Sequence, residues 1–266
     1  MPAVLAELPI DLVPMYFELD GTFPNHEANP LEPKNLVDLQ NKVRETGADI
    51  GLAFDGYADR CFFVDERGQA VPPSAIVGLV ATRELAKHPG SAIVHNAITS
   101  AATVEIIREH VGTPIRSRVG HSFMKALMAK HSAVFGGEHS GHYYFREFWN
   151  ADTGMLAALH VLTALGEQDL PLSELVAGYS RYVASGEINS EVSDIPAKLN
   201  EIEEAYRKTD GATCDRLDGL TVNLGGNCWF NLRPSNTEPL LRLNVEAPSQ
   251  AIMKALCEEV LALVRS

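Results

Sequence analysis

Asp55 and Asp59 stand in the stretch GLAFDGYADRC, residues 51–61, behind an apolar run and directly before Arg60. Carboxylates at alternate positions of a tight loop can converge on one cation, and Mg²⁺ takes a few oxygen ligands in a near-octahedral shell. That alternation calls for a third carboxylate at position 57, where the chain has Tyr57. On these residues alone the stretch fits either a metal loop with one ligand replaced or an acidic, solvated turn.

A second stretch with chemistry in it is Gly136-Gly137-Glu138-His139-Ser140-Gly141-His142, ahead of the aromatic run Tyr143-Tyr144-Phe145. Its glycines let a backbone approach a ligand closely. Glu138 and Ser140, a carboxylate and a hydroxyl on one side of an extended loop, suit vicinal sugar hydroxyls. His139 and His142 lie three apart beside Glu138, but on an extended loop that spacing turns the imidazoles to opposite sides, so no zinc site is expected. A third stretch, Arg233-Pro234-Ser235-Asn236-Thr237-Glu238-Pro239, combines a guanidinium, two hydroxyls, an amide and backbone N–H groups, a set that suits a phosphate. Read singly, the second stretch also fits a polar glycine turn and the third a polar hairpin connection.

The elements around these loops alternate. Residues 9–18 read as a strand, 34–46 as a helix stopped by Gly47, and 50–54 as a strand, an order that favours a parallel α/β unit. Helices are expected at 73–87, 100–110, 122–130, 151–165 and 172–184, and strands at 92–96, 113–119 and 133–135, again α/β in character. Residues 185–189 read as a boundary. Beyond it come a polar helix near 195–209, strands around 219–224 and 228–232, an alternating strand at 240–247 and an amphipathic helix at 250–264.

Composition bounds the partners. Of the 266 residues 45% are hydrophobic and 21% charged, the balance of a packed globular chain. A formal net charge of −13 opposes nonspecific attraction to nucleic acid or anionic lipid, so neither is an expected partner. The four cysteines form no CxxC and are too few for a disulfide framework, which reads as reduced thiols in the cytoplasm. The apolar N-terminus carries Glu7, Asp11 and internal prolines and lacks a basic first segment, unlike a signal peptide or a membrane span.

Together the three loops resemble those of the α-D-phosphohexomutases, on the phosphomannomutase/phosphoglucomutase branch. In that family the metal loop reads DGDxDR, the sugar loop GExSGH and the phosphate loop RxSNTxP, in this order; here they read DGYADR, GEHSGH and RPSNTEP. Val119-Gly120-His121-Ser122 resembles the segment ahead of the sugar loop, and the resemblance runs from about Leu12 to the C-terminus. It implies mixed α/β domains followed by a small α+β domain, divided here as 1–67 (the latter part of the family's second domain), 68–185 (the third) and 186–266 (the fourth). It implies Mg²⁺-dependent phosphoryl transfer between C1 and C6 of mannose or glucose phosphate, through a phosphoserine in a first domain. Carried over by position, Asp55 and Asp59 would hold the metal, Arg60 would meet the transferred phosphoryl, and Glu138 and Ser140 would read sugar hydroxyls. Arg233, Ser235, Asn236 and Thr237 would hold the other phosphate. His121 and His142 would transfer protons or touch phosphate, or serve as structural histidines.

Three departures qualify that reading. No segment resembles the TASHNP of the family's phosphoserine, Tyr57 replaces the middle metal ligand, and residues 95–101 hold neither Lys nor Arg where relatives often do. The chain is therefore expected to match the tail of the second domain and the whole of the third and fourth, to lack turnover by itself and to bind Mg²⁺ weakly. The alternative is a noncatalytic sugar-phosphate-binding remnant. A metal-dependent hydrolase would leave RPSNTEP without a role.

Overall fold

The computed structural model describes residues 2–235 and 239–266. A short helix α1 (Pro2–Leu5) opens the chain. Residues 9–18 form no strand: Pro9 and Pro14 remove backbone donors, and Leu12, Val13 and Phe17 stay exposed. After a 3₁₀ turn (Pro33–Leu36), helix α2 (Val37–Thr46) ends at Gly47, whose φ of 67° lets its N–H return to the Val43 carbonyl.

Strands β1 (Ile50–Phe54) and β2 (Cys61–Asp65) pair antiparallel from Ile50↔Asp65 to Phe54↔Cys61, with β3 (Ala70–Val71) on the far side of β2. The parallel unit read at the start of the sequence is thus replaced by a meander, and Asp55 to Arg60 become the connection of its first hairpin.

Helix α3 (Pro73–Lys87) leads to a five-stranded sheet of order β5-β4-β6-β7-β8. It contains β4 (Ala92–Asn96), β5 (Thr113–Ser117), β6 (Phe135–Gly137), β7 (Tyr143–Phe145) and β8 (Ala151–Asp152), with α4 (Ala101–Glu109) and α5 (His121–His131) as crossovers. β4 runs parallel to β5 and β6, and the chain then turns back so that β7 and β8 are antiparallel. Ile93 and Val94 face opposite sides and are both fully buried, as expected of a central parallel strand covered on two faces. Strands of two or three residues carry too little periodicity to read, which is why β7 and β8 escape the sequence. β8 also takes the first residues assigned to the helix at 151–165; that helix, α6, spans Gly154–Gly166 behind the N-cap Thr153.

Helix α7 (Leu172–Ala177) is shorter than the reading of 172–184. Arg181 and Tyr182 are pulled out straight by α4, with Arg181 Nη2 donating to Glu109 at 2.6 Å and the Tyr182 hydroxyl to Glu105 at 2.6 Å. The chain passes into β9 (Val183–Glu191), so residues 185–189 lie within a strand. β9 edges an all-antiparallel sheet of order β10-β11-β12-β13-β9, built with β10 (Thr213–Asp215), β11 (Leu220–Asn223), β12 (Trp229–Pro234) and β13 (Leu240–Ala247). Helices α8 (Ile195–Tyr206) and α9 (Gln250–Val264) cover one face over Leu220, Phe230, Leu241, Leu243 and Val245.

The other face of this sheet is polar and turns toward the middle sheet. Arg116 of β5 donates to Asp215 at 2.6 Å and Thr221 at 2.8 Å, Val119 N–H to Asp218 at 3.0 Å, and Ala101 N–H to Glu246 at 2.8 Å. Asn244 and Glu246, read as the exposed side of an alternating strand, are consequently buried. All four cysteines are free thiols, and no helix among the described residues is long and apolar enough to cross a membrane.

His95, at the end of β4, is buried with Nδ1 3.1 Å from the Asn96 carbonyl, and burial, with Arg116 and Arg108 nearby, pushes its pKa down to about 4. The unfolded chain takes up that proton near the ordinary value of about 6.5. Stability is therefore full above that value and falls as pH drops through the window from 6.5 toward 4, by up to ~1.4 kcal/mol per pH unit for this group. Urea midpoints measured between pH 7 and 4.5 should fall less steeply for His95→Asn than for the parent; equal slopes would refute the assignment.

Candidate functional site

The connection between β1 and β2 is held by its own charges. Asp55 accepts the Arg60 backbone N–H at 3.2 Å and Arg60 Nε at 3.0 Å, and Arg60 Nη1 reaches Asn29 Oδ1 at 3.3 Å. Burial pushes the Asp55 carboxyl up, but Asp59 and Arg60 outweigh it and hold the group below the usual carboxylate range. Asp59 goes the other way: burial, then Asp55 and Asp152, raise it. Its Oδ1 is buried without a hydrogen-bond partner. Two facing carboxylates with an orphaned oxygen are a donor set that a hard divalent cation would satisfy. Tyr57 contributes nothing to it; the turn through Ala58, at φ 56°, leaves the phenol 92% exposed.

The loop is clamped from below by the middle sheet. Gly154 N–H donates to the Ala58 carbonyl at 3.3 Å and Cys61 N–H to the Gly141 carbonyl at 3.2 Å, and Arg60 forms a β-bridge with His142. A Cβ on Gly154 would stand 2.6 Å from the Arg60 carbonyl, so only glycine lets α6 begin there.

Between β6 and β7 lies the second loop. Glu138 is 1% exposed and accepts from Tyr144 Oη at 2.6 Å, Asn96 Nδ2 at 3.1 Å and Gly120 N–H at 3.3 Å. A carboxylate offers about four acceptor positions, so this one keeps roughly one to spare. Ser140 Oγ is 2.9 Å from His142 Nδ1, and Glu138 Oε1 is 3.9 Å from the same nitrogen. His139 points to the other side, 3.0 Å from Ser74 Oγ, on the wall of a cavity of about 140 Å³ between α3 and the C-terminal sheet.

His121, at the first position of α5, stacks edge-on against His142 with ring centres 4.3 Å apart. Its Nδ1 is 3.2 Å from Asp152 Oδ2, and Lys125 Nζ is 3.4 Å from Asp152 Oδ1. The Asp152 hydrogen bond raises the His121 pKa against the effect of burial, while burial and then His121 push His142 down to about 4. Although burial alone would lift Asp152, its partner His121 and then Lys125 hold it at about 2. His121, His142 and Asp152 each place one ligand atom within 4.8 Å of the others, a second group able to hold a metal ion.

Asp55, Asp59, Arg60, His121, Glu138, Ser140 and His142 therefore form one contiguous patch. Arg233 and Ser235 lie in a second group, on the C-terminal sheet, where Arg233 Nη2 is 3.4 Å from Glu187 and Arg242 Nη2 donates to Ser235 Oγ at 3.2 Å. Asn236 and Thr237 lie outside the described residues. Sequence reasoning passed over Asp152, Lys125, Asn96 and Tyr144, which no motif marks. It also passed over Glu187 and Arg242, although the charged positions of an alternating strand were a signal for Arg242.

Three family models match the chain. Residues 1–68 match phosphoglucomutase/phosphomannomutase alpha/beta/alpha domain II, residues 72–182 domain III of the same description, and residues 187–263 its C-terminal domain. A phosphomannomutase of Escherichia coli strain K12 is 41% identical over 259 residues, which are 96% of this chain and 56% of that protein. Phosphohexose mutases of Xanthomonas campestris pv. campestris are 41% identical over 261 residues, 97% of this chain and 58% of that protein. Among solved structures, a phosphoglucomutase/phosphomannomutase family protein from Burkholderia thailandensis superposes with a TM-score of 0.85 at 32% identity, covering 96% of this chain and 55% of that one. The chain spans about half the length of the relatives it matches.

Asp59 is a raised, partly buried carboxyl facing Asp55, so neutralising it should relieve the pair. In EDTA at pH 7, Asp59→Asn is expected to melt at a higher temperature than the parent by scanning calorimetry. A lower melting temperature would show that the orphaned oxygen is not a source of strain.

Proposed function

Because this chain belongs to the α-D-phosphohexomutase family, we propose that it forms the sugar- and phosphate-binding part of a cytoplasmic phosphomannomutase/phosphoglucomutase that moves a phosphoryl group between C1 and C6 of a hexose phosphate. The substrate is mannose or glucose 1- or 6-phosphate, and the working units are residues 1–67, 68–185 and 186–266. The observation that carries the reading is the contiguous patch from Asp55 to Asp152, in which a cation-competent carboxylate pair, a guanidinium, a hydroxyl reader and two unlike imidazoles adjoin.

In this reading Asp55 and Asp59 hold Mg²⁺, which supplies charge neutralisation for the moving phosphoryl group. Arg60 faces that group, and its bond to Asp55 fixes the guanidinium before substrate arrives. Ser140 and the remaining acceptor position of Glu138 take sugar hydroxyls. Arg233, Ser235, Asn236 and Thr237 hold the phosphate that is not being transferred.

The imidazoles divide the proton work. His121, raised by Asp152, keeps its proton to higher pH and can donate, whereas His142 is neutral at pH 7 and can accept. Two titratable groups driven apart by their surroundings are the usual mark of an acid and base pair.

The alternative is a sugar-phosphate-binding chain without catalysis. The two readings agree on binding and part on turnover. Titration calorimetry with mannose 1-phosphate should show binding that Arg233→Ala weakens by about 1.5–3 kcal/mol, the worth of a charged hydrogen bond. Binding indifferent to that substitution would remove the clamp. The purified 266 residues should give no product in a coupled mutase assay, and product formation would reject the noncatalytic alternative. For the metal, Tyr57→Asp should tighten Mg²⁺ binding by about tenfold or more, ~1.4 kcal/mol, in the same calorimeter; unchanged affinity would show that position 57 takes no part.

A further inference from the structure

His139 turns away from the patch around Glu138 and forms part of the wall of the cavity of about 140 Å³ between α3 and the C-terminal sheet. A space of that size takes up one molecule about as large as benzene. Three more rings line it: Tyr179 and Tyr182 from the segment that joins α7 to β9, and Trp229 at the start of β12. Burial holds the His139 pKa below its ordinary value, so at pH 7 this fourth ring is neutral. No Lys or Arg among the described residues lines the cavity, whereas a carboxylate does. That carboxylate, Glu246 of β13, is 3% exposed. Its Oε1 accepts from Trp229 Nε1 at 2.9 Å and from the Ala101 N–H at 2.8 Å, while Oε2 makes no hydrogen bond among the described residues. Two residues back on the same strand, Asn244 also lines the cavity; it is 7% exposed, and its Nδ2 is buried with no hydrogen-bond partner among the described residues.

We propose that this cavity binds a small organic cation of the amino-alcohol type, an alkylammonium head carrying a hydroxyl. An anion would meet a buried carboxylate with no basic group to offset it, so the cavity rejects phosphate esters. A cation meets the opposite surroundings. Glu246 supplies the counter-charge through its remaining oxygen, and aromatic rings attract a positive charge more strongly than a neutral group of the same shape, the more so where water is excluded. The Asn244 Nδ2 lacks an acceptor, and a hydroxyl on the same ligand supplies one. Tyr182 is held by its bond to Glu105 at 2.6 Å and Glu246 by its two donors, so these walls are set before a ligand enters. The walls come from the middle domain and from the C-terminal sheet, so a ligand bound here joins the two. The inference stands apart from the phosphate clamp and from the carboxylate pair at Asp55 and Asp59.

The test is titration calorimetry of the whole chain with choline, with tetramethylammonium and with the neutral isostere of choline in which a quaternary carbon replaces the nitrogen. The variants are Glu246→Gln, Asn244→Leu and Tyr179→Leu, with circular dichroism and thermal midpoints as folding controls. Choline is expected to bind and to raise the thermal midpoint, and the isostere to bind about tenfold more weakly or less. Glu246→Gln keeps an acceptor for Trp229 and Ala101 but removes the charge, and should weaken choline about tenfold or more. Asn244→Leu should bring choline down to the affinity of tetramethylammonium and leave the latter unchanged. If Glu246→Gln does not fold, Tyr179→Leu carries the same reading through a loss for choline that the isostere does not share. No binding of choline to the parent chain overturns the proposal. Equal affinity for choline and its isostere would show that the cavity sorts by shape alone and overturns it too, as does unchanged choline binding in folded Glu246→Gln. Unchanged choline binding in Asn244→Leu overturns the amino-alcohol assignment.

Discussion

The site depends on one buried carboxylate. Glu138 has almost no contact with solvent, and a charge in that position is tolerated only with donors around it. Its three donors come from three elements: Asn96 from the end of β4, Gly120 from the entry to α5, and Tyr144 from β7. Satisfying this group therefore draws the loop after β4, the start of α5 and the β6–β7 hairpin to one point, and His121 and His142 come together as neighbours of those same elements. A polar requirement in the interior becomes the geometry of the surface.

The β1–β2 connection is then fastened onto that point by backbone bonds from Cys61 and Gly154. Its anionic oxygens are partly spent on Arg60 and partly left over at Asp59. The C-terminal sheet is secured separately, through Arg116, Asp218 and Glu246, at the edge of the middle sheet where β4 and β5 end. The fold thus gathers chemistry from three sheets, largely at strand ends and connections, above apolar cores on their other faces.

What could be read in the sequence follows from the length of the signal. Helices α3 and α9 and strands β1 and β4 have enough turns or alternations, with Pro, Ser or Gly at their ends, to be bounded closely. Residues 9–18 have the right composition for a strand, but sheet formation depends on a partner edge, and composition carries no information about that. The helix read at 172–184 failed because Glu105 and Glu109, some seventy residues earlier, hold Arg181 and Tyr182 in an extended run. The loop residues with glycine spacing were visible as candidate chemistry. Asp152 and Tyr144 were not, because each owes its place to pairing across strands. The direction in which His121 and His142 titrate was equally hidden, since Asp152 and burial set it.

Position 57 illustrates how such a loop can change. The backbone of residues 55–61 is anchored by bonds to Gly154, Gly141 and Arg60, none of which involves the side chain of Tyr57, and that side chain lies in solvent. The packing of this chain therefore places little demand on the side chain at this position. Tyr and Asp codons differ by a single base, so a carboxylate could arise here in one mutational event without disturbing the anchored backbone. On the Mg²⁺ reading proposed above, the scaffold would make cation affinity adjustable at no cost to the fold.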